Sequence, residues 1–141
     1  MSNSHRWWPV TSVAYCLLLA ACGSAQKPSA YFKMENGIES ESFIFQLDDP
    51  TKIAEARAII SGTQQSQIVW GDIRDGAANY NPRWHFQLDP VSIRFVQTAP
   101  QLCNLAPSIV EQRLQSGAPL PPDWCPWGHK VVSEVRSQVD R

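Results

Sequence analysis

Aromatic and β-branched residues crowd the stretch Ser42 to Leu47 and give way at once to Asp48-Asp49-Pro50, a pattern that predicts a strand running into a helix start. Asp49 suits the N-cap, where a short carboxylate accepts from the free amides of the first turn. Pro50 suits the first helical position, because its missing N–H would have no partner there. Ile53, Ala56 and Ile60 then fall on one face and Gly62 follows as a stop, which predicts a helix over 50–61. After a polar turn from Thr63 to Ser66, Gln67 to Arg74 reads as a strand, and Asp75-Gly76 with Asn79-Tyr80-Asn81-Pro82 reads as a loop. Trp84 to Leu88 and Ser92 to Gln97 predict two more strands. Their joint at Asp89-Pro90 makes them either a hairpin or one bent strand with Pro90 at an edge or bulge. Pro107 to Ser116 before Gly117 predicts a second helix with Ile109, Val110 and Leu114 as its apolar stripe, and Ala118 to Pro122 is too rich in proline to be regular. Val131, Val132, Val135 and Val139 sit at helical spacing, yet a valine-rich end also suits an edge strand, so segment 129–139 stays open between the two.

One sequence echo stands out, Phe45-Gln46-Leu47-Asp48-Asp49-Pro50 against Phe86-Gln87-Leu88-Asp89-Pro90. In both copies an acid before proline ends an apolar strand. This reads as a shared local device for stopping a ladder, not as a duplicated domain.

The N-terminal pattern is of another kind. Arg6, an apolar run from Val10 to Leu19, and Ala20-Ala21 before Cys22 have the layout of a secretory signal ending at a lipid-accepting cysteine. The run is too short to span a bilayer, which needs about 20 apolar residues. The reading is therefore a lipoprotein signal over 1–21, a tether over 22–30 and one domain over 31–141, with the membrane as partner through a lipid on Cys22. Gly23 after the cysteine points to the outer membrane or cell surface of the envelope. Cleavage after Ala25 is the alternative, and it would release a soluble secreted protein.

That assignment changes the cysteine count. Of four cysteines, Cys16 leaves with the signal and Cys22 carries lipid, so Cys103 and Cys125 remain as a pair. In an oxidising compartment they are expected to form one disulfide. The formal net charge is −1 and no Lys/Arg run occurs, which excludes nucleic acid as an expected partner. Beyond the signal the histidines are His85 and His129. No G-x-S-x-G, H-E-x-x-H, phosphate-loop or dinucleotide motif is present, so no enzyme activity and no cofactor are expected. His85 is expected to be outward or hydrogen-bonded, and His129 to serve as a cap or surface residue. Asp72 and Asp75 are the only calcium candidates and fall short of an EF-hand loop, so no metal site is assigned. Trp124 and Trp127 flank Cys125 and are expected to cover the disulfide, whereas Tyr80 and Trp84, in or beside a loop, are the candidates for a partner surface.

The block Phe43 to Gly62, the segment Tyr80 to Ile93 and the run Trp124-Cys125-Pro126-Trp127 together resemble a small secreted domain family, BP-seventy-four-related, some of whose members are called calmodulin-binding. The resemblance runs from about Tyr31 to Val135. It implies calcium- or calmodulin-linked binding and carries over no catalytic residues. A lipid-anchored bacterial protein would not meet calmodulin in its own cell, so the label transfers as a family tag. A second resemblance is to the cystatin-like inhibitors, with Gln67-Ile68-Val69-Trp70-Gly71 as their Q-x-V-x-G loop and Pro126-Trp127 as a second wedge; Ile68 to Trp70 otherwise belong to a core strand. The expectation is thus a single small α+β domain. An antiparallel sheet of four to five strands would carry two to three helices and one disulfide. Its role would be that of an envelope-anchored, non-catalytic binding module for a protein or small-molecule ligand.

Overall fold

The computed structural model describes residues 27–65 and 67–136. The signal, Cys22, most of the tether, Ser66 and Val139 lie outside the described residues.

The chain enters the fold at a strand that the sequence reading left in and beside the tether. In β1 (Ala30–Glu35), Ala30, Phe32 and Met34 are buried and alternate with half-buried Tyr31, Lys33 and Glu35, the period-2 pattern of a strand with one face on a core. It pairs antiparallel with β2 (Phe43–Leu47), setting Phe32 against Phe45 and Met34 against Phe43. Paired side chains point to the same face, so one register places four large apolar groups on the core side. The open choice at the chain's end resolves as a strand, β7 (Lys130–Val135), antiparallel to the other side of β1. A register shift between Lys33 and Met34 leaves Val132 as the extra residue. This bulge is a common way to keep an exposed edge from pairing with another chain.

α1 (Pro50–Ile60) forms where the Asp-Pro signal placed it. The Asp49 carboxylate accepts from the amides of Thr51 (2.7 Å) and Lys52 (3.4 Å), and those bonds hold its pKa below the ordinary carboxylate value. The buried stripe is Ile53, Ala56 and Ile59, whereas Ile60, expected inside, is partly exposed. Arg57 on this helix donates two bonds of 2.7 Å to Glu134, tying α1 to β7. Asp49→Ala is expected to lower the thermal midpoint and Asp49→Asn to restore most of it, as measured by circular dichroism melting.

The remaining strands build a second sheet instead of extending the first. β3 (Ile68–Asp75) pairs antiparallel with β4 (Phe86–Leu88), β5 (Arg94–Val96) and the short β6 (Asp123–Trp124). Among the described residues the single sheet expected from sequence is therefore two, of three and four strands. β4 and β5 are not a hairpin: they pair with successive lengths of β3. Between them, the Asp72 carbonyl accepts from the Asp89 amide (2.9 Å) and the Asp72 amide donates to Ser92 Oγ (2.8 Å), so segment 89–93 is an excursion bonded to β3. Gly71 sits beneath it, where an added Cβ would meet Ile93 Cγ1 at 3.1 Å. The sheets share one core in which Phe43 lies 5.0 Å from Phe86 and 4.8 Å from Trp124, ring centre to ring centre.

α2 (Pro107–Ser116) ends at Gly117, whose φ of 67° is the left-handed conformation that glycine adopts without Cβ strain. Val110 is buried and Leu114 is half-inserted, but Ile109 faces out, so the apolar stripe is narrower than expected.

Candidate functional site

The two residues proposed from sequence as a partner surface are structural. Tyr80 is 8% exposed and Trp84 is 6% exposed. Their loop closes the free side of β2: Trp84 Nε1 donates to the Ser42 carbonyl (2.9 Å), and Asn81 Oδ1 accepts from the Ile44 amide (3.1 Å). The Tyr80 ring lies 4.9 Å from that of Tyr31, centre to centre, and its hydroxyl donates to Gln87 Oε1 at 3.2 Å. The phenol pKa is pushed up to about 12, mainly by burial and further by Tyr31 and Asp48, against an opposing pull from Arg74. A polar-looking loop is thus an edge cover, and the expectation that it presents a recognition face is corrected.

Asp72 and Asp75 are not brought together. They stand three positions apart on β3, and strand geometry sends such residues to opposite faces. Among the described residues no cluster of three or more His, Cys, Asp or Glu has the placement to hold a metal ion. The inhibitor-like segment is no projecting loop either, since Val69 is fully buried and paired with Phe95 while Gly71 pairs with Trp124. His85 is outward and hydrogen-bonded, its Nδ1 2.6 Å from Glu111 Oε1 and its amide donating to Glu111 Oε2 at 2.9 Å. Burial would raise the Glu111 carboxyl, but the bonds from His85 and Gln115 outweigh it and hold the group below its ordinary value.

The surface with the most suggestive chemistry lies at the end where β1 finishes and β7 begins. There the expected disulfide joins Cys103 to Cys125, with Cα atoms 5.1 Å apart, and the Cys125 amide donates to the Cys103 carbonyl at 2.9 Å. Trp124, immediately before, goes fully into the core, its Nε1 donating to the Leu105 carbonyl at 2.7 Å. Trp127, expected to cover the bridge, is 38% exposed, and its amide is fixed on Asn104 Oδ1 at 2.9 Å. Leu102, beside Cys103, is 86% exposed. Ile38 is also exposed, in the turn after β1 where Asn36 approaches Gly128. Three large apolar side chains thus stand out at one braced end of the domain. Sequence reasoning read Trp127 as core because it sits near a cysteine; proline on its N-terminal side and glycine on its C-terminal side turn it outward instead.

Beneath this end His129 is buried, not a cap or surface group. Its Nε2 is 2.9 Å from the Glu41 carbonyl, and Glu41 Oε2 accepts from the Ser108 amide near the start of α2 at 3.1 Å. Burial holds the imidazole below its ordinary 6.5, against the opposing effect of Glu41. The unfolded chain therefore takes up the proton first. His129's contribution is complete above pH 6.5 and is lost as the pH falls through the folded value, whereas the lowered carboxylates Glu111 and Glu134 act in a separate window below 4.5. Between about pH 7 and pH 5 the urea midpoint is expected to fall in the wild type and to fall less in His129→Gln.

The opposite end holds a shallow cleft of about 230 Å³ lined by Lys27, Asp48, Asp49, Pro50, Lys52, Pro90 and Val91. Both copies of the Asp-Pro echo meet here. They use the same device, Asp49 accepting from the Thr51 amide and Asp89 from the Val91 amide at 3.1 Å.

These features define a disulfide-braced α+β domain with a small exposed aromatic end. The family model of the BP-seventy-four N-terminal domain matches residues 28–138, and the chain belongs to that family. Comparison with curated proteins and with solved structures finds no match. Among the described residues no helix is long and apolar enough to cross a membrane.

Proposed function

We propose that the chain is a non-catalytic binding module held on the cell envelope by a lipid on Cys22, and that it recognises a protein partner through the disulfide end. The observation that carries this reading is Trp127, an aromatic residue left over one-third exposed while its backbone is fixed by Asn104 and by a disulfide two residues away. Rigid aromatic anchors with apolar neighbours are what protein interfaces use most, because little side-chain freedom is lost on contact. Leu102 and Ile38 supply those neighbours. Exposed apolar anchors suit a protein better than a small molecule, which needs a concave site. The calcium and calmodulin association of the family's label gains no support from Asp72 and Asp75, which point apart.

The test is affinity capture from native envelope extract. Wild type is expected to retain a partner that Trp127→Ala loses at least about tenfold, roughly the 1.4 kcal/mol of a moderate interface anchor, while its melting curve stays unchanged. Equal retention by Trp127→Ala and by a Leu102→Ala, Trp127→Ala double variant would remove the disulfide end from consideration.

A further inference from the structure

The chain outside the structure fixes which end of the domain is close to its anchor. β1 starts at Ala30 beside Leu47, and just before it Ser29 Oγ donates to Asp48 at 2.8 Å and Lys27 Nζ lies 4.0 Å from the same carboxylate. Five Cα-to-Cα steps separate Cys22 from Lys27, at most about 18 Å of chain. β1 itself carries the backbone about 17 Å from this end to the disulfide end. Laying the disulfide end on the bilayer would require the tether at full stretch alongside the body of the domain. The end that holds Lys27 is reached without any such stretch.

We infer that the cleft end, with Val91 and Pro90 at its rim, is the surface that rests on the lipid headgroups of the anchoring membrane; this rests on lipidation of Cys22. Val91 is 75% exposed and stands on the excursion between β4 and β5, where Lys52 Nζ holds its carbonyl at 3.0 Å. An exposed valine beside proline on a fixed turn can enter the interfacial layer without any change in the fold. Two lysines and two aspartates line the same cleft, so the surface has no excess charge of either sign. The contact is therefore set by the tether and by apolar insertion, and it is insensitive to anionic lipid and to salt. The arrangement leaves Trp127, Leu102 and Ile38 facing away from the membrane.

The experiment uses the full lipidated protein in phosphatidylcholine vesicles, with an environment-sensitive fluorophore on Val91→Cys or on Leu102→Cys and a spin-labelled headgroup as quencher. Both positions are exposed, and unchanged melting curves confirm the fold. The Val91→Cys label is expected to be quenched several-fold more than the Leu102→Cys label, equally at low and high salt and with or without phosphatidylglycerol. Equal quenching, stronger quenching at Leu102→Cys, or quenching at neither position would overturn the assignment, the last pointing to a protein or a second copy on this surface. Flotation of the vesicles separates the two claims. Protein that fails to float removes the lipid anchor itself, whereas protein that floats without Val91→Cys quenching removes only the orientation.

Discussion

Trp124→Ala is expected to cost about 4 kcal/mol of folding stability, the range for deleting a large buried aromatic where the surroundings cannot collapse. Trp124 has no exposed surface and makes edge contacts with Phe43 at 4.8 Å and Phe86 at 5.4 Å, the rings that join the two sheets. Its Nε1 also satisfies the Leu105 carbonyl. Against a typical total of about 5–15 kcal/mol, that removes between roughly a quarter and four-fifths of the stability. Trp124→Phe separates the two contributions: it keeps most of the apolar volume and leaves the carbonyl unpaired, for a loss of about 1–3 kcal/mol. Urea denaturation measures both. A loss under about 1 kcal/mol for Trp124→Ala would mean that the two sheets do not share the core described.

Removing the disulfide as Cys103→Ser with Cys125→Ser is expected to cost about 3 kcal/mol, from the loop of 22 residues that the bridge closes in the unfolded chain. The loss has a local side as well. The bridge and the Cys125-to-Cys103 backbone bond hold the segment that carries Trp127. Amide exchange in 101–105 and 125–129 is therefore expected to rise more than in α1. Thiol titration of the denatured, unreduced mature protein should find no free thiol, and two free thiols would refute the pairing.

Local signals with a strong backbone cause were legible in the sequence. The Asp49-Pro50 start of α1, the Gly117 end of α2 and the cysteine pair each follow from a residue type that few conformations accept. Long-range pairing was less visible. β1 alternates cleanly, yet it straddles the expected boundary between tether and domain at 30/31 and was assigned no element, and only its partners on both sides reveal it as the middle strand. β6, two residues long, exists because β3 offers it a free edge.

The candidate site was misread for a related reason. Tyr80 and Trp84 lie in or beside a loop of turn-forming residues, and their burial depends on a β2 edge some 40 positions away that needs covering. Trp127 and His129 exchanged places with expectation, the tryptophan emerging and the histidine going in. The tight Pro126-to-Gly128 turn rotates one side chain outward before β7 begins. Neither outcome is encoded in residue type alone.

The central claim is that this domain is displayed from a lipid on Cys22 with its disulfide end outward, and its first half is tested most directly by the intact mass of the mature protein purified from envelope membranes. The mature chain is expected to begin at Cys22 and to be heavier than its sequence by the mass of a diacylglyceryl group with or without a further acyl chain. A chain beginning at Gln26 with no added mass, recovered from the soluble fraction, would contradict it.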